Sequence, residues 1–165
     1  MPDYDELWDQ YANEFNAKLE ITNNGDWNKL DEEEQEIAAL WKLTADMYSS
    51  GFEDFFLSWG YECYSYAMRG IQRMIDANME EDEEDEETES DLTDVYTLFD
   101  DAYTEIFSPF ENDDRIKSYE DIGQYLTQTD EDTLEEVFAE FDEDLGPILC
   151  KKAYKFYCEK LNKKP

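Results

Sequence analysis

Apolar residues recur every three or four positions along most of the chain, which is the spacing of one face of an α-helix. The first such stripe contains Trp8, Tyr11, Phe15 and Leu19. Stripes with the same spacing run through residues 37–48, 64–75, 92–107, 134–141 and 148–161. The sequence has no sustained alternation of apolar and polar residues, the pattern typical of a half-buried strand. We therefore predict helices and no β-sheet.

Turn and capping residues predict where these helices begin and end. Residues 23–25, Asn-Asn-Gly, predict a turn after the first helix. Asp31 followed three residues later by Glu34 predicts a capped start for the second helix. Gly51 and Gly60 are expected to bound a short apolar helix, and Gly146-Pro147 is expected to separate the last two helices.

The middle of the chain carries eight acidic residues in succession, from Glu80 to Glu87. Blocks of like charge are usually loops, so we predict an acidic loop at residues 80–90. The resulting fold class is all-α. We expect residues 1–165 to form a compact single-domain bundle of about seven or eight helices with this acidic loop in its middle.

The charge of the chain points to a positively charged partner. Its 165 residues include 46 Asp and Glu against 13 Lys and Arg, a net charge of −33. Such acidity is common in disordered chains, but 41% hydrophobic and 16% aromatic residues supply enough apolar surface for a core. Solubility alone needs a net charge of about 2–8 in a small domain, so the excess indicates binding to a basic surface.

Catalysis and metal binding are poorly supported by the sequence. The chain has no histidine, the commonest general base and metal ligand, and its six glycines form no phosphate-binding loop. A calcium-loop pattern beginning at Asp142 fails because its sixth position is Pro147 and not glycine. We therefore expect no enzyme activity, no catalytic residue, no metal site and no cofactor.

Two further features bear on location. No apolar stretch reaches about 20 residues, the length that a membrane-spanning helix needs, and the first residues have no basic or apolar signal region. The three cysteines are odd in number and form no CxxC pair. We expect a cytoplasmic protein that contacts no membrane.

Rows of carboxylates flank the apolar stripes of three predicted helices. Residues three or four apart on a helix lie about 5–6 Å apart, a spacing comparable to that of phosphates along a nucleic-acid strand. Any one such row is most simply a solvated helix face, but together they suggest a surface that imitates the charge of duplex DNA. The candidate partner-binding carboxylates are Glu32, Glu33, Glu36, Asp91, Asp94, Asp101, Glu105, Asp132, Glu135, Glu136, Glu140 and Glu143.

The aromatic residues Phe52, Phe55, Phe56 and Trp59 have two interpretations. They are most simply part of the core. Alternatively, part of the segment 52–66 is a self-association face that would bring two acidic surfaces together in a homodimer.

The ten-residue segment from Met47 to Phe56, in which Gly51 precedes Phe52, Phe55 and Phe56, resembles the opening of a central helix in a known family. That family is a bacterial all-α domain family of uncharacterised function, and a strongly acidic neisserial DNA-mimic protein of about this size belongs to it. The resemblance implies a homodimer whose surface imitates duplex DNA and occupies a DNA-binding transcription regulator. It transfers no individual contact residue.

These observations lead to one hypothesis and two alternatives. The leading hypothesis is a DNA mimic that binds a basic DNA-binding protein, such as a transcription factor, blocks its DNA binding and does not itself bind nucleic acid. The first alternative is an immunity protein that neutralises a basic toxin or nuclease. The second is a polyanionic chaperone for basic proteins, with weak and promiscuous binding.

Overall fold

The computed structural model describes residues 3–80 and 86–165, and this part of the chain is helical without a β-strand. It contains six α-helices, fewer than the predicted seven or eight. Their bounds are Tyr4–Ala17 (α1), Glu32–Ser49 (α2), Phe52–Glu80 (α3), Glu86–Ala102 (α4), Gln128–Glu140 (α5) and Gly146–Ala153 (α6). Shorter π-helical turns span Lys18–Thr22, Tyr103–Phe107, Phe141–Leu145 and Tyr154–Lys160, and 3-10 turns span Trp27–Lys29, Ser108–Phe110 and Tyr119–Tyr125.

Two local differences explain the lower helix count. Gly60, predicted to end one helix, instead forms a kink inside α3 with φ 77° and ψ −161°. The spacing of Ser118 and Asp121 ahead of Ile122 also predicts a short capped helix, but this segment is a 3-10 turn, Tyr119–Tyr125, and not an α-helix. At Gly146 the π-helical turn passes directly into α6, so no loop separates the last two helices.

The predicted start of α2 is confirmed. The side chain of Asp31 accepts a hydrogen bond from the backbone N–H of Glu34 at 2.9 Å, and Glu34 accepts one from the Asp31 N–H at 3.1 Å. This reciprocal capping box satisfies two N–H groups at the helix end. The turn after the first helical segment is also confirmed, since Asn24 and Gly25 both adopt positive φ.

The core is built around an aromatic cluster, and the prediction that the Phe52 region is core is confirmed. Phe52, Phe55 and Phe56 are each at most 1% exposed. The ring of Phe56 stacks on Phe107 with centroids 4.2 Å apart, and Phe52 lies 5.2 Å from Phe99. Self-association through these three phenylalanines is therefore wrong, because their rings are already covered by the chain's own helices.

The acidic run joins α3 to α4 in the sequence. Glu80 is the last residue of α3, and the backbone of residues 86–90, predicted as loop, forms the start of α4. The remainder of the predicted acidic loop, residues 81–85, lies outside the described residues. In the described part of the chain no helix combines the length and the hydropathy that membrane crossing requires.

Candidate functional site

Glu36, predicted as a surface carboxylate, is buried, and this corrects the sequence-based assignment. Its side chain is 0% exposed and is bound by two arginines of α3. Nε of Arg69 lies 2.6 Å from Oε2, and Arg73 donates to both oxygens at 2.6 and 2.8 Å. The hydroxyl of Tyr157 adds a fourth hydrogen bond, 2.8 Å from Oε1. Glu36 therefore joins α2, α3 and the C-terminal π-helical turn, and it cannot contact an external partner.

The local sequence explains why these helices approach so closely. Arg69 and Arg73 are four residues apart, so both guanidinium groups extend from one face of α3 toward α2. Gly70 lies between them, and a Cβ at this position would be 2.9 Å from the Tyr157 hydroxyl and 3.0 Å from Leu40. The absence of a side chain at Gly70 allows the contact that closes the cluster.

Other basic side chains also turn toward the protein's own acids. Lys42 is 2% exposed, with Nζ 3.0 Å from Glu20 and 3.5 Å from the centroid of the Trp59 ring. Lys18 pairs with Glu34. Because these cations are neutralised internally, the outer surface is left rich in uncompensated carboxylates.

The two remaining candidates on α2 lie beside basic groups. Glu32 is 3.3 Å from Arg73, and Glu33 is 3.7 Å from Lys163. Lys163 also lies 2.5 Å from Asp31, whose pKa is lowered overall: burial acts to raise it, but hydrogen bonds from Lys163 and the Glu34 N–H outweigh that effect. The negative charge at this end of α2 is therefore partly neutralised, and the surface is less anionic than the sequence suggested.

Four predicted carboxylates come together in a groove between α4 and the helical run 140–148. Asp91, Asp94 and Asp101 lie on α4, and Glu140 ends α5. Asp144, four residues after Glu140, lines the same groove, which has a volume of about 560 Å³. We call these five residues and the space between them the carboxylate groove.

The carboxylate groove combines charge with an apolar lining. Leu98, Leu145 and Ile148 form part of its wall. Among residues 3–78 and 91–165, whose side chains the structure describes, no side-chain hydrogen bond or ion pair occupies any of its five carboxylates. No group of three or more potential metal ligands in the described ranges is arranged to hold an ion. Such a groove can accept hydrogen bonds from cationic side chains while the apolar wall packs against their methylene stems.

The other predicted carboxylates lie outside this groove. Glu105, Asp132, Glu136 and Glu143 are exposed at separate positions. Glu135 lines a second, smaller groove with Glu53 and Glu131. Burial raises the pKa of Glu53, and the neighbouring carboxylate of Glu131 raises it further through repulsion and a hydrogen bond. The predicted set is thus divided among several surfaces and does not form one row.

Comparison with known proteins gives no relative for this chain. No family model, curated protein or solved structure matches it.

Sequence reasoning missed one residue of the carboxylate groove and the cluster at Glu36. Asp144 could have been included, because a spacing of four residues from Glu140 places it on the same side of a helix. The partners of Glu36 could not be identified from periodicity, since helical spacing shows which residues share a face but not which helices meet.

Proposed function

We propose that this protein binds a basic DNA-binding protein, such as a transcription regulator, and blocks its binding to DNA. The observation that supports the proposal is the carboxylate groove, in which five acidic side chains without a cationic partner in the described residues lie on helices. A surface that binds phosphates presents lysine and arginine, and fixed carboxylates can take the place of those phosphates.

The proposal also covers activity, assembly and location. The protein acts as an inhibitor and not as an enzyme, it forms a homodimer, and it works in the cytoplasm. The three cysteines are free thiols, which is consistent with a reducing compartment. Because binding would release counterions from both surfaces, its affinity should fall steeply as salt is raised.

A second candidate function is that of an immunity protein for a basic toxin or nuclease. The apolar wall formed by Leu98, Leu145 and Ile148 favours this alternative, because a tight cognate interface needs a shaped apolar centre as well as charge. Mimicry predicts competition with DNA for the partner, whereas a toxin could remain bound in the presence of DNA. The two functions therefore differ in one measurable property.

The test is a pull-down from bacterial lysate at about 0.1 M salt, with elution first by a DNA duplex and then by salt. Release of one DNA-binding protein by the duplex would support mimicry, and retention of one protein against the duplex would support the immunity function. A mixture of many basic proteins, released only by salt, would contradict both. The carboxylate groove is tested with the triple variant Asp94→Asn, Asp101→Asn, Asp144→Asn.

A matched control removes three charges elsewhere. Glu14, Asp114 and Glu120 are exposed, lie outside the carboxylate groove and are not among the predicted partner-binding residues. If the control variant Glu14→Gln, Asp114→Asn, Glu120→Gln weakens capture as much as the groove variant does, the partner responds to net charge alone and the groove has no special role. We expect the groove variant to lose capture and the control to retain most of it.

A further inference from the structure

Another groove, between α3 and the run from α4 into the following π-helical turn, is lined by aromatic side chains. Its volume is about 770 Å³. We call it the tyrosine groove, after the five tyrosines among its lining residues: Tyr61, Tyr64, Tyr66, Tyr96 and Tyr103. It is separate from the carboxylate groove, with which it shares no lining residue.

The tyrosine rings are held in fixed positions. Tyr64 stacks on Tyr103 with centroids 4.6 Å apart, and Tyr61 meets Tyr103 nearly edge-on. The hydroxyls of Tyr61 and Tyr64 donate to the backbone carbonyls of Phe107 and Phe99 at 3.0 and 3.4 Å. Since these two hydroxyls are already bonded, Tyr61 and Tyr64 do not offer them to a ligand.

The rim of the tyrosine groove is negatively charged. Glu62, Asp100 and Glu111 are exposed carboxylates that line it. Tyr96 and Asp100 are four residues apart on α4, which places a ring and a carboxylate side by side on one helix face. Among the described residues that line the groove Arg69 is the one cation, and it already donates to Glu36, Gln35 and the Glu32 carbonyl. A ligand therefore meets rings and negative charge together.

The chain's own cations show what such surfaces bind. The guanidinium carbon of Arg69 lies 5.0 Å from the centroid of the Tyr66 ring, and that of Arg115 lies 4.2 Å from the Tyr125 ring. Arg115 is also held by Asp113 at 2.6 Å. Both arrangements pair a planar guanidinium with a ring face and an oxygen acceptor. Within the tyrosine groove the Tyr66 ring already carries Arg69, whereas among the described residues no cation lies over the rings of Tyr61, Tyr96 or Tyr103.

We propose that the tyrosine groove binds an arginine side chain of the basic partner protein, stacked on the tyrosine faces and hydrogen-bonded to a rim carboxylate. This inference rests on the proposed function, because it assumes a basic partner. Arginine is favoured over lysine because its guanidinium is planar and stacks on rings while donating sideways. A second copy of the chain is a poor occupant, since its three arginines, Arg69, Arg73 and Arg115, are all in internal ion pairs.

The experiment uses two synthetic peptides that differ only in their cation. One carries four arginines separated by Gly and Ser, and the other carries four lysines at the same positions. Calorimetric titration of the parent protein at about 0.1 M salt should give tighter binding of the arginine peptide. Tyr96→Leu, which keeps an apolar side chain but removes the ring, should weaken the arginine peptide roughly three- to tenfold and the lysine peptide less than about twofold.

Two variants act as controls. Tyr125→Leu removes a tyrosine ring outside the tyrosine groove and should leave the ratio of the two affinities unchanged. The triple variant of the carboxylate groove, Asp94→Asn, Asp101→Asn, Asp144→Asn, should weaken the binding of both peptides by a similar factor, because it removes charge and no ring. Tyr103→Leu provides a second ring deletion if Tyr96→Leu does not fold.

The outcomes separate this inference from the proposed function. If the parent binds both peptides equally, or if Tyr96→Leu leaves the ratio unchanged, the tyrosine groove has no arginine specificity while a basic partner remains supported. If the parent binds neither peptide, the proposed function and this inference both fail. If Tyr96→Leu changes the mass of the protein in sedimentation and leaves the ratio unchanged, the groove is an interface between copies and the inference is wrong.

Discussion

The hydroxyl of Tyr157 donates a 2.8 Å hydrogen bond to Oε1 of Glu36, which precedes it by 121 residues. Both side chains are 0% exposed. Burial raises the pKa of Tyr157, and the charge of Glu36 and their hydrogen bond raise it further, so the phenol stays protonated and remains a donor. This contact fixes the C-terminal helical run against α2.

Tyr157→Phe should lower the free energy of unfolding by about 1–3 kcal/mol. The ring still fills its place, but one hydrogen bond to a buried carboxylate is lost. Urea denaturation measures the difference. Tyr66→Phe is the control, because its hydroxyl makes a 3.4 Å contact with exposed Glu62, and it should change stability by less than about 0.5 kcal/mol. Equal effects of the two variants would contradict the importance of the buried contact.

Glu36→Gln should destabilise the protein by about 2–4 kcal/mol, because it removes the carboxylate that Arg69 and Arg73 share and leaves Arg73 only the 3.3 Å contact with exposed Glu32. This loss of stability is smaller than the loss expected when one partner of a fully buried ion pair is removed, because the side chains of Arg69 and Arg73 are 36% and 32% exposed. Thermal or urea unfolding measures it, and exposed Glu136→Gln serves as the control. A variant with unchanged stability but weakened capture of the partner would instead restore Glu36 as a binding residue.

Glu53 should make stability depend on pH. Its pKa is raised above the ordinary value of 4.5, so the protonated form is favoured in the folded state. The contribution of protonated Glu53 to the stability of the fold is therefore fully present below the pKa that Glu53 has in the unfolded chain. It is lost as pH rises through the pKa that Glu53 has in the folded protein. Glu53→Gln should therefore be more stable than the parent at about pH 7, and this advantage should disappear at about pH 4.

Asp31→Asn should show the opposite pH dependence of stability to Glu53→Gln. The pKa of Asp31 is lowered in the folded protein, so its contribution is present above the unfolded value of 3.8 and is lost as pH falls through the folded pKa. Asparagine still caps the helix but loses the charge that pairs with Lys163. We expect Asp31→Asn to be less stable than the parent by under about 1 kcal/mol at neutral pH. If both variants respond to pH in the same direction, general charge repulsion dominates both sites.

Gly60→Ala should lower the free energy of unfolding by at least about 1–3 kcal/mol. Its φ of 77° disfavours any side chain, and the added Cβ would lie 2.1–2.5 Å from the Tyr119 ring. The change Tyr119→Ala removes the clash but not the backbone strain, so Gly60→Ala should cost less stability in the Tyr119→Ala background than in the parent protein. A double-mutant cycle by urea denaturation measures this coupling. Full additivity would mean that the ring and the glycine are energetically independent.

Helix positions and caps could be predicted from local spacing, because they depend on neighbours in the chain. Asp31 and Glu34 form the expected capping box, and Phe52, Phe55 and Phe56 are core as their spacing indicated. The burial of Glu36 could not be predicted from local spacing. Helix α2 packs against α1 and α3 and buries a wide arc, whereas a single apolar stripe would leave Glu36 in solvent.

The candidate site was predictable in its components but not in its arrangement. Asp91, Asp94 and Asp101 were predicted as one row on α4, and the structure places Glu140 across from them. That pairing depends on the approach of α4 to the run 140–148, a contact between residues about 40 positions apart. The tyrosine groove could not be predicted because its rings come from α3, α4 and the π-helical turn after α4, and Tyr64, Tyr96 and Tyr103 have the spacing of core residues.

The kink at Gly60 predicts a joint constraint on positions 60 and 119 in evolution. The ring of Tyr119 fills the space beside Gly60, so a side chain at position 60 requires loss of that ring as well as tolerance of the positive φ. Substitutions at these two sites should therefore occur together among descendants of this sequence. Their covariation would show the bend of α3 in an alignment, even though 59 residues separate the two positions.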